Sequence, residues 1–207
     1  KAALYANTTG TENVAVGANA LDANTTASYN TAVGYESLGA NTTGDQHVAV
    51  GRQALNANTT GAQNTALGLN AMLSNTTGDN NVAVGHAALD ANTTADANTA
   101  VGKSAVGYLA GGAVTTGEQN TLIGGLAGDA LTDADYNVAV GKSALSSDTL
   151  GSRSTAIGTA ALNAQNFTSA TDSYNTAVGF YTGLSVTTGT GNTLIGGLAG
   201  DAITTGT

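Results

Sequence analysis

A five-residue motif that ends in glycine recurs along the whole chain at a nearly constant interval. Its first copy, NVAVG, occupies 13–17 and its last copy, NTLIG, occupies 192–196. The interval is 17 residues except at two longer repeats, and the closing glycines are Gly17, Gly34, Gly51, Gly68, Gly85, Gly102, Gly124, Gly141, Gly158, Gly179 and Gly196. A fixed period over a whole chain is typical of solenoids, whose units bury their apolar faces only by stacking on one another.

Composition supports one continuous solenoid. The 207 residues include 29 Gly and no Pro, with only 9% charged and 4% aromatic residues, so the interior must be built from thin layers of Ala, Val and Leu. No composition shift or charged linker divides the chain, and we predict a single repeat domain over 1–207 with longer coils at 103–119 and 159–174. The sequence begins at Lys1 without an initiator Met, and we expect it to be a fragment of a longer fibre.

Charge and cysteine content restrict the partners. A net charge of -9 with only five Lys and Arg argues against nucleic acid, which would require a basic surface. The absence of Cys excludes disulfides and thiolate metal sites. No apolar run is long enough to span a bilayer, and we expect no direct membrane insertion by this segment.

Two apolar columns precede each closing glycine. The residue just before it is Val, Ile or Leu in every copy, and the residue before that is Ala in most. β-branched residues favour a strand, and neighbours on a strand point to opposite faces. We predict that the bulky column lines the interior, where it meets a second column, mostly Leu, four residues after each glycine. The small column then faces sister subunits, and the predicted trimer interface is Ala15, Ala32, Ala49, Ala66, Ala83, Ala100, Leu122, Ala139, Ala156, Ala177 and Leu194.

The rest of each early coil is rich in turn-forming residues. Asn-Thr-Thr sequences, such as 41–43 and 58–60, are followed by Gly and are typical of turns. We therefore predict an all-β fold, a parallel β-roll in which each coil runs strand, turn, strand, turn. With about 4.8 Å between coils, eleven coils would make a rod about 50 Å long.

One block of the sequence is duplicated. Residues 122–131 return almost unchanged at 194–203, 72 residues later. In both copies Gly replaces the usual Leu, at Gly128 and Gly200, and Leu replaces the usual Ala, at Leu122 and Leu194. We interpret this exchange as side-chain volume that has moved across the strand wall.

The copies of NTAVG, followed by Ala-Leu and NTTG, resemble the head repeats of YadA-like trimeric autotransporter adhesins in a lengthened form. They are also similar to repeats of phage and bacterial fibre proteins. The resemblance covers nearly all of residues 5–203. It implies a left-handed parallel β-roll, three chains around one axis, and exposure outside the cell, at the cell surface or on a virion fibre. It carries over no catalytic residue and no fixed binding motif.

Catalytic and metal chemistry are not predicted. His47 and His86 occupy different columns of the repeat, which argues against a shared metal site. Arg52, His86, Lys103 and Lys142 follow their closing glycines and form a sparse row, which is either a solvated face or an anion contact. Ser and Thr are abundant but form no recurring triad with His and a carboxylate. We predict no enzyme activity, cofactor or metal.

The leading hypothesis is a homotrimeric fibre or adhesin head that attaches to a surface glycan or envelope protein of a host or prey cell. Candidate binding residues are aromatic side chains that we expect to be exposed, because aromatic rings suit sugar stacking: Tyr35, Tyr108, Phe167, Phe180 and Tyr181. The alternative is that these side chains only cover the backbone of loops. A structural spacer without its own ligand is one alternative. An ice-binding solenoid is another, although flat ice-binding faces need threonines two residues apart, whereas Thr25 and Thr26 are adjacent.

Overall fold

The computed structural model describes residues 2–102 and 109–206, which form an all-β solenoid with one short strand per coil. Short strands follow from the sequence, because each β-branched motif is interrupted by a glycine after three residues. The strands are β1 (Val14–Val16), β2 (Thr31–Val33), β3 (Val48–Val50), β4 (Thr65–Leu67), β5 (Val82–Val84), β6 (Thr99–Val101), β7 (Thr121–Ile123), β8 (Val138–Val140), β9 (Gly151–Ser152), β10 (Thr155–Ile157), β11 (Thr171–Asp172), β12 (Thr176–Val178) and β13 (Thr193–Ile195).

Eleven of these strands form one parallel sheet in the order β1-β2-β3-β4-β5-β6-β7-β8-β10-β12-β13. The register pairs equivalent residues of successive repeats, so that Ala15 pairs with Ala32 and Val16 with Val33. The two longer repeats keep this register, as Ala156 pairs with Ala177 across the second one. The predicted parallel β-solenoid with a 17-residue coil is confirmed.

The wall opposite the sheet is made of turns, so the prediction of a second strand in each coil is wrong. Its leucines adopt left-handed backbone conformations, for example Leu38 at φ 51° and Leu55 at φ 52°. Such conformations are unfavourable for a residue with a side chain. Here they persist because each turn hydrogen-bonds to the next coil, as when Leu38 N–H donates to Ala54 O at 3.0 Å.

The assignment of the strand faces is also wrong. The alanines predicted to face sister subunits are inside the single chain, and Ala49 and Ala83 are 0% exposed. From Ala32 to Ala177 this column is fully buried against the leucine column, with Ala15 and Leu194 at the ends only partly buried. A three-residue strand points its central side chain one way and its two outer side chains the other. Because leucines already fill the narrow interior, only the small central residue fits there.

The exchanged volume stays inside the chain, so the interpretation that it crosses the strand wall is wrong: Leu122 lies in the core and Leu194 packs against it. A Cβ built on Gly128 would lie 2.6 Å from Leu122 Cδ2, and one built on Gly111 would lie 2.8 Å from Leu122 Cδ1. Leu194 fills the corresponding space beside Gly183 and Gly200, at 3.0 and 2.9 Å. One strand leucine therefore occupies the volume left by two missing leucines of the opposite wall.

Two columns of buried amides hold the corners of the coils. In the first, Asn75 Nδ2 donates to Asn58 Oδ1 at 2.9 Å, and Asn58 Nδ2 donates to Asn41 Oδ1 at 2.8 Å. In the second, Asn30 Nδ2 donates to Gly44 O at 3.1 Å, while Asn30 Oδ1 accepts from the next coil. Buried polar groups must be paired, and these ladders pair the backbone groups that the turns leave free.

The second long coil packs its insertion against the rod. Thr171–Asp172 (β11) pairs in parallel with Gly151–Ser152 (β9) to form a separate two-stranded sheet. Arg153 Nε donates to Asp172 Oδ1 at 2.9 Å, and its guanidinium lies 4.6 Å from the centre of the Tyr136 ring. Part of the first longer coil, residues 103–108 with Lys103 and Tyr108, lies outside the described residues.

Candidate functional site

The outer side of the large sheet is an uncharged strip that we call the apolar face. It consists of the first and third residues of each strand. The first column is Val14, Thr31, Val48, Thr65, Val82, Thr99, Thr121, Val138, Thr155, Thr176 and Thr193. The second column is Val16, Val33, Val50, Leu67, Val84, Val101, Ile123, Val140, Ile157, Val178 and Ile195.

Side chains of the apolar face remain open to solvent in the single chain. Val50 is 39% exposed and Leu67 is 36% exposed, although neither belongs to an end strand of the sheet. The strip is about 50 Å long, and its two columns are about 7 Å apart. A long uncharged strip with a continuous column of Val, Leu and Ile is typical of interaction surfaces.

Two clefts lie beside the turns that follow the closing glycines. The Lys142 cleft, of about 320 Å³, is lined by Lys142, Ser143, Thr159, Ala160, Asn163, Tyr181 and Leu184. The Glu36 cleft, of about 290 Å³, is lined by Asn19, Asp22, Glu36, Gly39, Ala40 and Asn56. Both clefts use the positions two and five residues after closing glycines, with cationic and aromatic groups in the first and acidic groups in the second.

The predicted aromatic binding residues do not form one site. Phe180 and Tyr181 are both exposed, and their rings stack at a centroid distance of 4.0 Å with an interplanar angle of 23°. Tyr35 is exposed at the far end of the rod, beside Arg52, whose guanidinium lies 6.0 Å from the ring centre. Phe167 is only 6% exposed, so its prediction as a binding residue is wrong.

Phe167 is buried because the chain leaves space for it. A Cβ built on Gly151 would lie 2.7 Å from Phe167 Cδ2, so glycine is required opposite the ring. The Phe167 N–H donates to Asp148 Oδ1 at 3.0 Å, which fixes the start of the insertion. The ring therefore closes the second insertion onto the rod.

The Glu36 carboxylate accepts hydrogen bonds from neighbouring side chains. Hydrogen bonds from the Tyr35 hydroxyl and from Gln53 Nε2, the latter at 3.0 Å, lower the pKa of Glu36. The same hydrogen bond with Glu36 raises the pKa of Tyr35. Glu36 is therefore a fixed anion, and the Glu36 cleft is unsuited to a negatively charged ligand.

His47 is a buried member of the second amide column. Its Nδ1 accepts a hydrogen bond from the Asn64 N–H at 3.1 Å, and its Nε2 lies 2.7 Å from Gly61 O. Because a backbone N–H can only donate, Nδ1 carries no proton, and Nε2–H donates to the carbonyl. Burial lowers the pKa of His47. Within residues 2–102 and 109–206, no group of three or more His, Asp or Glu side chains is arranged to hold a metal ion.

Sequence reasoning missed the Lys142 cleft. It placed Lys142 in a sparse cationic row and Tyr181 among the aromatic candidates, but it did not join them. The period contains the missing signal, since Lys142 follows one closing glycine and Tyr181 lies two residues after another, two coils later. Asn163 and Leu184 share a further position, five residues after a closing glycine.

The described residues define the chain as a member of the structural class of parallel β-solenoids. Comparison with protein-family models, with curated proteins and with solved structures finds no match. In the described ranges, no helix is long and apolar enough to cross a membrane.

Proposed function

We propose that the chain is a segment of an extracellular homotrimeric fibre, at a cell surface or on a virion, which forms a stiff projection and attaches to a target surface. The observation that carries this proposal is the apolar face, which extends along the whole rod without a charged residue. Sister subunits cover this face in the fibre. The resemblance to trimeric adhesin repeats favours three copies.

Periodicity explains why the occupant is another copy of this chain. The side chains of the apolar face repeat at the spacing of adjacent parallel strands, about 4.8 Å. A second rod with the same spacing places its β-branched side chains between the rows of the first over the full length. A partner without this repeat would match only a few rows, and would leave the remaining valines in water.

The test replaces Val84 and Val140 with Lys and measures the mass of the protein in solution. Both side chains lie near the middle of the apolar face and point out of the single chain. The matched control carries Lys at Thr60 and Thr77, which are exposed in turns and make no side-chain hydrogen bond within the described residues.

We expect the wild type and the T60K/T77K control to sediment as trimers. The V84K/V140K variant should be monomeric and retain its β-sheet circular dichroism, because buried unpaired ammonium groups oppose association but not the fold of one chain. A folded wild-type monomer or dimer would contradict the trimer. Trimers in both variants would show that a different face associates.

Binding of labelled trimers to target cells separates an adhesin from a spacer, since a spacer without its own ligand would show no saturable binding.

The fold gives little support to the ice-binding alternative. The first column of the apolar face contains threonines, but the residue two positions later is always Val, Ile or Leu. Thr25 Oγ1 donates to Thr42 O of the next coil at 3.2 Å and is not free to order water.

A further inference from the structure

We propose that the Lys142 cleft binds a sugar that carries a carboxylate, as one unit of the glycan to which the fibre attaches. This inference rests on the proposed attachment function and specifies its ligand class. None of the residues that line the cleft belongs to the apolar face, so trimer formation and sugar binding use different surfaces.

The cleft combines an apolar wall with unused polar groups. Tyr181 and Leu184 supply apolar surface to the lining, and Lys142, Ser143 and Thr159 supply polar groups. In the part of the chain that the structure describes, four polar groups of the cleft have no hydrogen-bond or ion-pair partner in the protein. They are the Lys142 ammonium and the hydroxyls of Ser143, Thr159 and Tyr181. A sugar ring has the matching pattern, with an apolar C–H face and a rim of hydroxyl groups.

Asn163 adds an oriented acceptor to the cleft. Its Nδ2 donates to Ser143 O at 3.2 Å and to Ser146 Oγ at 2.7 Å. These two hydrogen bonds fix the side-chain amide, and they leave Oδ1 to accept from a ligand hydroxyl. A fixed side chain loses little conformational entropy when a ligand binds.

The aromatic wall is also held in place before binding. The rings of Phe180 and Tyr181 stack at 4.0 Å, while Tyr181 N–H donates to Thr159 O of the preceding coil at 2.9 Å. Phe180 remains 55% exposed, so the stack presents a second ring next to the cleft. Aromatic residues with an apolar body and a polar tip are common at binding surfaces.

Charge selects an acidic sugar over a neutral one. The protein has a net charge of -9, yet no carboxylate lines the Lys142 cleft. The Glu36 cleft provides an internal comparison, because it is lined from partly equivalent positions of the repeat and contains Asp22 and Glu36. An anion is therefore attracted to the Lys142 cleft and repelled from the Glu36 cleft.

The experiment titrates the trimeric protein with D-glucuronate, D-glucose and acetate, and follows the NMR signals of the Tyr181 ring and the Leu184 methyl groups. A single sugar in an open cleft should bind with a Kd on the order of 1 mM, within reach of such a titration. Saturable shifts with glucuronate that exceed those with glucose and acetate are expected.

Variants locate the binding in the cleft. Replacing Lys142 with Met keeps most of the side-chain length and should weaken glucuronate binding about tenfold. Lys142→Arg should retain it. Tyr181→Leu is also expected to weaken binding, and it is structurally mild because Leu126 and Leu198 adopt the same left-handed conformation at the equivalent position. Arg52→Met is the matched control in the same column, and should leave binding unchanged.

Three outcomes would overturn the inference. They are the absence of saturable shifts, equal affinity for acetate and glucuronate, and loss of binding in Arg52→Met but not in Lys142→Met. The mass of each sample is measured in parallel. A trimer that fails to bind refutes the sugar site alone, whereas a monomer that binds glucuronate refutes the trimer alone.

Discussion

Ala49 and Val50 are neighbours on β3, yet Ala49 is fully buried inside the chain and Val50 is 39% exposed on its outer face. The smaller side chain therefore lies in the interior and the larger one is available to a partner. This relationship recurs along the rod. It assigns the packing inside one chain to the alanine column and leaves the valine column on the outer face.

The Ala49–Val50 pair predicts opposite responses to the same enlargement. Ala49→Leu should lower the free energy of unfolding by about 1–3 kcal/mol, because the leucines of the opposite wall leave no room for it. Val50→Leu should change the stability of the folded coil by less than about 0.5 kcal/mol, since the side chain points outward. Urea denaturation of the monomeric V84K/V140K background measures both without the contribution of association. Equal losses in the two variants would contradict the assigned faces.

The Leu122–Gly128 pair predicts a coupled double-mutant cycle. Leu122→Ala should cost about 2–5 kcal/mol by leaving a cavity. Gly128→Leu should also destabilise, because its Cβ would lie 2.6 Å from Leu122 Cδ2. The double variant should recover part of the loss, as it restores the Ala and Leu arrangement of the ordinary coils. Gly128 has φ 55°, close to that of Leu38, so its backbone accepts leucine. Additive losses in chemical denaturation would refute the exchange.

His47 predicts a loss of stability in mild acid. Burial lowers the pKa of His47 in the folded state, so the unfolded chain takes up the proton first. Stability from this residue is complete above the ordinary histidine pKa of about 6.5, and is lost as pH falls below that value toward the folded-state pKa. Asp45 and Asp79 oppose this shift.

Replacing His47 with Asn tests this pH dependence. Asn occupies the same column at Asn30 and Asn64, and there it makes the equivalent hydrogen bonds to the backbone. The free energy of unfolding of H47N should change between pH 5 and pH 8 only through the other titratable groups of the chain. The difference between wild type and H47N should therefore grow as pH falls. His86→Asn is the control. A constant difference between wild type and H47N across this range would be inconsistent with a buried neutral imidazole.

Asp129 predicts the opposite pH response. Burial raises the pKa of Asp129 from 3.8 to about 6, and its Oδ1 has no hydrogen-bond partner in the described parts of the chain. The folded state therefore binds the proton more tightly than the unfolded state. Stability from Asp129 is complete below pH 3.8 and is lost as pH rises through about 6.

Asp129→Asn should therefore stabilise the protein at pH 8 and have little effect at pH 3.5. Because the Asp129 side chain is only partly buried, the gain at pH 8 should stay below about 1 kcal/mol. Thermal melts at the two pH values, with Asp201→Asn as the matched control from the duplicated block, measure it. A larger gain at acid pH than at pH 8 would contradict the assigned shift.

The sequence alone determined the repeating architecture. The 17-residue period predicted a parallel solenoid, and the β-branched residues before the closing glycines predicted the strands of its large sheet. The exchange of Leu122 for Gly128 was also readable, because a fixed period aligns equivalent positions of different coils. These features depend on spacing along the chain, which a sequence records directly.

Only the tertiary structure decided which side of each strand is buried. Alanine and valine are both apolar, and the pattern of one strand is consistent with either face inward. The decision depends on the volume left beside the leucines of the opposite wall, where a central Ala49 fits and a Val50 does not. The burial of Phe167 and the grouping of Lys142 with Tyr181 were likewise decided by packing between coils, which places residues side by side that lie far apart in the sequence.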